Sequence, residues 1–497
     1  METQGVTRGA GILLAISSLP SAYGIGTLGN EAFRFIDLLV DLKQKYWQVL
    51  PIGPTSFGDS PYQAMSAFAG NPYLIDLDLL AEEGLLKPEE IRSFHWGSDS
   101  SEIDYAVIFE NRYKVLRIAY ERFKKNDQNF QKFCTENDYW IGDYALYMSI
   151  KCVNHNRNWS EWDSKLKYRD AGELAHCTKE LYNDIEFWKF CQYKFFEQWE
   201  AVKKYANSRG IQIIGDVAFY IGFDSADVWA HRNLFLLDED GNPTYLAAAV
   251  PDKFSEEGQI WGNPVYNWTE LENEGFEWWK KRITFRKKLF DIVRMDHFVG
   301  MAKNFVVPAG ATSTSSGKWL KVPGKHLVTA INEALDGTPA IADDYGGKAP
   351  IPGVKKLLTK SGWLGTKVLL FAFDGNTANE HLPHNYADQS SSVYAGTHDN
   401  ETIVGYFRDK TEYELAYLYE YLGISQKSQI PDSLIRQAYA SIADIAVIQM
   451  QDVLLLGNEA RMNVPSTVGN WRWRLKHEQL DETRRAWIRN LVAVYRR

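Results

Sequence analysis

Four short apolar runs break off at acidic residues: Asp216 in IIGDVAFY, Asp296 in VRMDHF, Asp343 with Asp344 in AIADDYG, and Asp399 in AGTHDN. Two carboxylates facing each other across a sugar are the minimum equipment for breaking a glycosidic bond. One protonates the leaving oxygen, and the other attacks the anomeric carbon or activates water. A single acidic residue at such a place is commonly a helix N-cap or a loop ion-pair partner; four together ask for a further explanation. Arg294 lies two residues before Asp296 and therefore on the same side of its strand, where its guanidinium can hold Asp296 ionised, as a nucleophile needs. His297 and His398 adjoin two of the carboxylates. Spacing alone reads each either as functional or as a satisfied, non-catalytic ring.

Positioning these groups requires strands. Apolar segments rich in β-branched and aromatic residues recur at 11–18, 46–53, 211–221, 290–298, 339–345, 367–373 and 392–400, with a last element expected around 452–466 in DVLLL or ARMNVPS. Helical patterns lie between them, which is the signature of β/α repetition. About eight strands predict an α/β fold, a closed (β/α)₈ TIM-type barrel with inserted, mostly helical subdomains, and in such a barrel the reacting groups sit where strands end. The long second interval contains amphipathic stretches such as FWKFCQYKFFEQWEAVKKYAN (187–207). No Gly/Ser- or Pro-rich linker sets it apart. The expectation is one catalytic domain over 1–497, with an insertion at about 54–208 between strands 2 and 3 and a loop insertion at about 222–285 between strands 3 and 4.

Composition excludes several classes. With 55 Lys+Arg against 64 Asp+Glu the formal charge is −9, which argues against a basic nucleic-acid binder. No apolar stretch has the length of a membrane span, and METQGVTRGAG lacks the pattern of a secretory signal, so a cytoplasmic protein is expected. Cys134, Cys152, Cys177 and Cys191 have neither disulfide-framework nor zinc spacing and read as buried or incidental thiols. GIGTLG (24–29) spells a G-x-G-x-x-G but follows a turn-like SSLPSAY and lacks a βαβ context, so it is a weak phosphate-loop signal. No metal or cofactor is expected. The 17 Trp fit either a large core or sugar rings lying on aromatic faces.

GILLAISSLPSAYGIGTLG (11–29), WQVLPIGPTSFGDSPYQAMSAFAGNPYLIDL (47–77), SADVWA (225–230), GQIWGNPVYNW (258–268), VRMDHF (293–298), GTHDNET (396–402) and ARMNVPSTVGNWRWR (460–474) together resemble the amylomaltases, the 4-α-glucanotransferases of glycoside hydrolase family 77. The resemblance runs almost end to end. It implies a retaining transfer between α-1,4-glucans, with a maltodextrin donor and a glucose or maltodextrin acceptor. It places Asp296 on the family's nucleophile, Asp343 on its acid/base and Asp399 on its third carboxylate. Asp216, Arg294, His297 and His398 fall on residues that hold the donor sugar, and Tyr62 and Trp261 on aromatic contacts.

The departures cluster near the expected sugar path. Where the family has Glu as acid/base, Asp343 is shorter by one methylene, roughly 1.5 Å. Ala218 and Phe219 replace a Pro-Ile pair, Ala248 and Val250 a Gly and a Pro, and Val299 an Arg. Asn304 and Phe305 replace a Tyr-Trp pair, and Leu364 and Thr366 lie in a segment that usually reads FPGMK. Three readings stand: an active α-glucanotransferase that accommodates Asp343, a transglycosylase with an altered donor or acceptor pocket, and a glucan-binding relative without turnover.

Overall fold

Eight short strands pair in parallel: β1 (Gly9–Leu13), β2 (Tyr46–Val49), β3 (Gln212–Val217), β4 (Ile292–Met295), β5 (Ala340–Ala342), β6 (Gly365–Val368), β7 (Ser391–Tyr394) and β8 (Ile445–Gln449). Their spatial order is β6-β7-β8-β1-β2-β3-β4-β5. A parallel bridge from Ile341 to Leu364 joins the two ends into a barrel. This is the (β/α)₈ architecture. The computed structural model describes residues 5–56, 58–252, 254–345 and 351–497. Phe57 of GPTSFGDSPYQ, Gly346 of ADDYG and the first four residues of METQGVTRGAG lie outside the described residues.

Several strands are shorter than the apolar runs that contain them, because the rest of the run turns into helix. In 11–18 the strand ends at Leu13, and Ile16–Ser18 turns into a 3₁₀ helix; in 367–373 pairing stops at Val368, and Leu369–Phe371 does the same. The last strand is displaced from its expected place. It is IAVIQ (Ile445–Gln449), whereas Met450–Val453 is a helical turn and Asn458–Ala460 a 3₁₀ turn. A short apolar run such as DVLLL fits strand or buried helix equally well.

Helices fill most of the chain between β2 and β3, the longest being Tyr182–Ser208, which buries Phe187, Trp188, Phe190, Phe195 and Trp199. The chain between β3 and β4 is more than loop: it contains the strands Tyr245–Ala249 and Gln259–Pro264, and the helix Glu277–Leu289. Those two strands join Lys303–Pro308 and Lys318–Lys321 in a four-stranded antiparallel sheet. Gly215 on β3 is required by packing, since a Cβ there would lie 2.0 Å from Cγ of Phe290.

GIGTLG is not a phosphate loop. A Cβ on Gly26 would meet the Ile16 carbonyl oxygen at 1.8 Å, and Gly29 faces the Asp76 carboxylate, which also accepts the Thr27 hydroxyl at 2.6 Å. An anionic side chain held there repels phosphate. The four cysteines are free thiols, Cys191 buried and Cys152 exposed. Among the described residues no helix is long and apolar enough to cross a membrane, and no group of His, Cys, Asp and Glu could hold a metal ion.

Candidate active site

Register brings the first two charged residues together. Asp216 and Arg294 are Cα partners across β3 and β4, so their side chains leave the barrel wall side by side. Nη1 of Arg294 donates to Oδ2 of Asp216 at 2.6 Å and to Oδ1 of Asp296 at 3.3 Å. Nη2 lies 3.0 Å from Oδ1 of Asp343, within ion-pair reach but without hydrogen-bond alignment. One guanidinium thus touches three of the four acidic positions.

The strand ends are stitched so that these groups cannot drift. The Asp296 amide donates to the Val217 carbonyl at 3.1 Å, and the Asp343 amide to the Met295 carbonyl at 3.0 Å. His297 adopts φ 48°, a left-handed conformation uncommon for a side-chain-bearing residue. Its amide donates to Oδ2 of Asp343 at 3.2 Å.

Tyr62 closes the other side. Its hydroxyl lies 2.8 Å from Oδ2 of Asp216 and 2.7 Å from Nε2 of His398. The hydroxyl donates its single proton to Asp216, which leaves Nε2–H of His398 to donate to the phenol oxygen. The two rings stack at 5.3 Å, and His398 Nε2 is 3.4 Å from Oδ2 of Asp399. Trp261 meets His297 edge-on at 4.8 Å. All nine residues assigned from the sequence are therefore linked by short contacts around one cavity of about 350 Å³, lined by Tyr62, Trp261, Asp296, His297, Asp343 and Asp399 among others.

Electrostatics departs from expectation at Asp296. A neighbouring Arg294 was expected to hold it ionised, yet its carboxyl is pushed well above the usual range: burial dominates, and Asp216, Asp343 and Asp399 add repulsion that Arg294 only partly offsets. The cation is shared among three carboxylates, so none receives its full effect. Burial likewise raises Asp343. Asp296 and Asp343 are therefore both held above the ordinary carboxylate range. Burial pushes His297 down to about 4, so its ring is neutral at pH 7.

Several contributors escaped the sequence reading. Asn463 donates to Oδ1 of Asp399 at 2.6 Å, and Arg461 to its carbonyl at 2.9 Å; both lie in the ARMNVPS string, which carried no charge pattern to mark them. Gln63, next to Tyr62, donates to the Trp261 carbonyl and to Oδ1 of Asn263, both at 2.8 Å. Asp344 points away from the cluster to accept the Thr366 amide at 2.7 Å, and burial lifts its carboxyl to about 6.

The departures divide in two. Ala218, Ala248, Val250, Val299 and Phe305 line the cavity. The others lie behind it: Phe219 is fully buried, Asn304 bridges the Gly300 carbonyl and the Trp268 indole, each at 2.7 Å, and Leu364 and Thr366 belong to the β5–β6 closure.

The family profile described as 4-alpha-glucanotransferase, glycoside hydrolase family 77, matches residues 14–480. The chain is 42% identical over 488 residues to a 4-alpha-glucanotransferase of Clostridium butyricum, covering 97% of this chain and 99% of that protein. It is 43% identical over 494 residues to one of Aquifex aeolicus, covering 99% of each. Among solved structures, the amylomaltase from Streptococcus agalactiae in complex with acarbose superposes with a TM-score of 0.94 at 38% identity, covering 99% of both chains. The chain belongs to the 4-alpha-glucanotransferases of glycoside hydrolase family 77.

Proposed function

We propose that this 4-alpha-glucanotransferase moves α-1,4-glucan segments with retention through a covalent glucosyl-enzyme on Asp296, within one catalytic domain carrying insertions at about 54–208 and 222–285. The observation that carries the reading is the Arg294 guanidinium held between Asp216, Asp296 and Asp343 at the edge of the cavity. Retaining chemistry wants its two carboxyls roughly 5–5.5 Å apart, and Asp296 and Asp343 both lie within ion-pair reach of this one guanidinium.

In the first step an Oδ atom of Asp296 bonds to the anomeric carbon as the glycosidic C–O bond breaks. The bonding pair leaves on the departing oxygen, which takes the proton of Asp343. In the second, the 4-hydroxyl of an acceptor sugar attacks that carbon, gives its proton to the Asp343 carboxylate, and releases Asp296. The raised proton affinity of buried Asp343 suits the acid; Asp296, its side chain 23% exposed against 11% for Asp343, has more contact with solvent to support the charge before attack.

Asp399, fixed by Asn463 and His398, is placed to bind sugar hydroxyls more tightly as positive charge builds on the ring, which is the only kind of binding that speeds the step. Asp216, Arg294, Tyr62, His297, His398 and Trp261 position the donor sugar. Retention of Asp296, Asp399, Arg294, His297 and His398 favours turnover over a glucan-binding role. Chromatography of products from maltotriose tests the proposal: glucose plus a ladder of longer maltodextrins supports it, and intact maltotriose at high protein concentration contradicts it.

A further inference from the structure

The cavity has two unlike walls. One presents Asp399 and Asn463 beside Tyr62, polar groups of the kind that bond sugar hydroxyls. The other is built by the four-stranded sheet and the turn that feeds it, and is lined by Ala248, Val250, Ile260, Val299, Phe305 and Trp319. Apart from the indole N–H, these six side chains carry no hydrogen-bonding atom. Their strands pair with each other, Ala248 opposite Ile260 and Phe305 opposite Trp319. Of the polar residues beside them, Gln259 spends Oε1 on the Trp261 indole at 3.1 Å, and Asp252 spends Oδ1 on the amides of Phe254 and Ser255, each at 2.8 Å.

This wall belongs to the acid/base side. Val299 stands two residues after His297, whose amide holds Asp343. The helix Val299–Ala302 then runs directly into the strand Lys303–Pro308 that carries Phe305. The Phe305 ring is fixed from two directions. It packs 5.2 Å from Trp319, and it covers Gly317, where a Cβ would lie 2.1 Å from its Cζ. Trp319 itself is 40% exposed, a ring face available at the mouth.

The carboxyl that protonates a leaving oxygen later takes the acceptor's proton, so a group lying along this wall is part of the leaving fragment or the acceptor. A second sugar pressed there would lose water from its hydroxyls and gain no partners, a cost that an apolar group does not incur. Resting on the transglycosylase reading above, we propose that the acceptor site prefers glucosides bearing an aryl or alkyl aglycone, with the sugar hydroxyl at Asp343 and the aglycone on Val250, Phe305 and Trp319.

The test pairs phenyl α-glucoside with methyl α-glucoside as acceptors, with maltotriose as donor and products resolved by chromatography. The expected result is a kcat/KM about tenfold higher for the phenyl acceptor, equivalent to about 1.4 kcal/mol, and a ratio that falls at least about threefold in Trp319→Gln. A ratio near one, with the maltodextrin ladder still formed, overturns this inference and leaves the functional reading standing. If no ladder forms, the functional reading fails, and calorimetry on the unmodified protein decides the aglycone site: phenyl α-glucoside binding about tenfold tighter than methyl α-glucoside supports it, and equal binding overturns it.

Discussion

Nη2 of Arg294 sits 3.0 Å from Oδ1 of Asp343, the carboxyl proposed to deliver a proton into the cavity. The short side chain is also tied at Oδ2 by the His297 amide. Asp343→Glu extends the carboxyl by roughly 1.5 Å and is expected to speed transfer from maltotriose; an unchanged or lower rate would mean that the cavity is built around the shorter acid. Asp343→Ala should lower kcat by about 10²–10⁴-fold. A maltosyl fluoride donor, whose leaving group needs no proton, should recover most of the first step.

Proton affinity in the cluster sets the pH profile. Because Asp343 and Asp296 are both raised by burial, the acid keeps its proton above the ordinary carboxylate range, and kcat/KM falls as pH rises through the raised value. On the acid side it falls again as Asp296 becomes protonated. His297, depressed to about 4, contributes no limb near neutrality. Measuring kcat/KM from about pH 4 to 9 should give a bell whose alkaline limb disappears in Asp343→Ala; a limb that persists there would assign it to another group.

The Tyr62 hydroxyl joins Asp216 to His398. Tyr62→Phe keeps the ring stack and removes the bridge, leaving Asp216 and Nε2 of His398 without this buried partner. A fall of about 10–100-fold in kcat/KM is expected, corresponding to roughly 1–3 kcal/mol for an unsatisfied buried group. Circular dichroism should be unchanged, and full activity would show that the bridge is dispensable.

Asp452, directly beyond β8, is fully buried, and burial lifts its carboxyl to about 7 although it accepts the Ile403 amide at 2.7 Å. Its folded-state proton affinity exceeds the unfolded one, so its contribution to stability is greatest in acid and is lost as pH rises through about 7. Asp452→Asn keeps the acceptor and removes the titration. The Tm of the variant relative to the parent should therefore rise between about pH 5 and 8, by at least about 2 °C; a constant difference would contradict the assignment.

Much of this was legible in the sequence because strand ends announce themselves. Asp216, Asp296, Asp343 and Asp399 each follow an apolar run, and the two-residue spacing of Arg294 and Asp296 put both on one side of β4. What could not be read was geometry between distant segments. The sharing of one guanidinium by three carboxylates depends on the Asp216–Arg294 register, and burial, which only the assembled fold creates, raises Asp296 despite that cation. Asn463 was invisible because an uncharged amide in a loop carries no pattern. The last strand was misplaced because IAVIQ and DVLLL are adjacent apolar runs, and only packing decides which one pairs with β1.

The most direct test of the covalent reading is the product profile from maltotriose for the protein and for Asp296→Ala, with free glucose assayed alongside. Glucose and a ladder of longer maltodextrins are expected from the parent and neither from the variant. A ladder that survives in Asp296→Ala would contradict that reading.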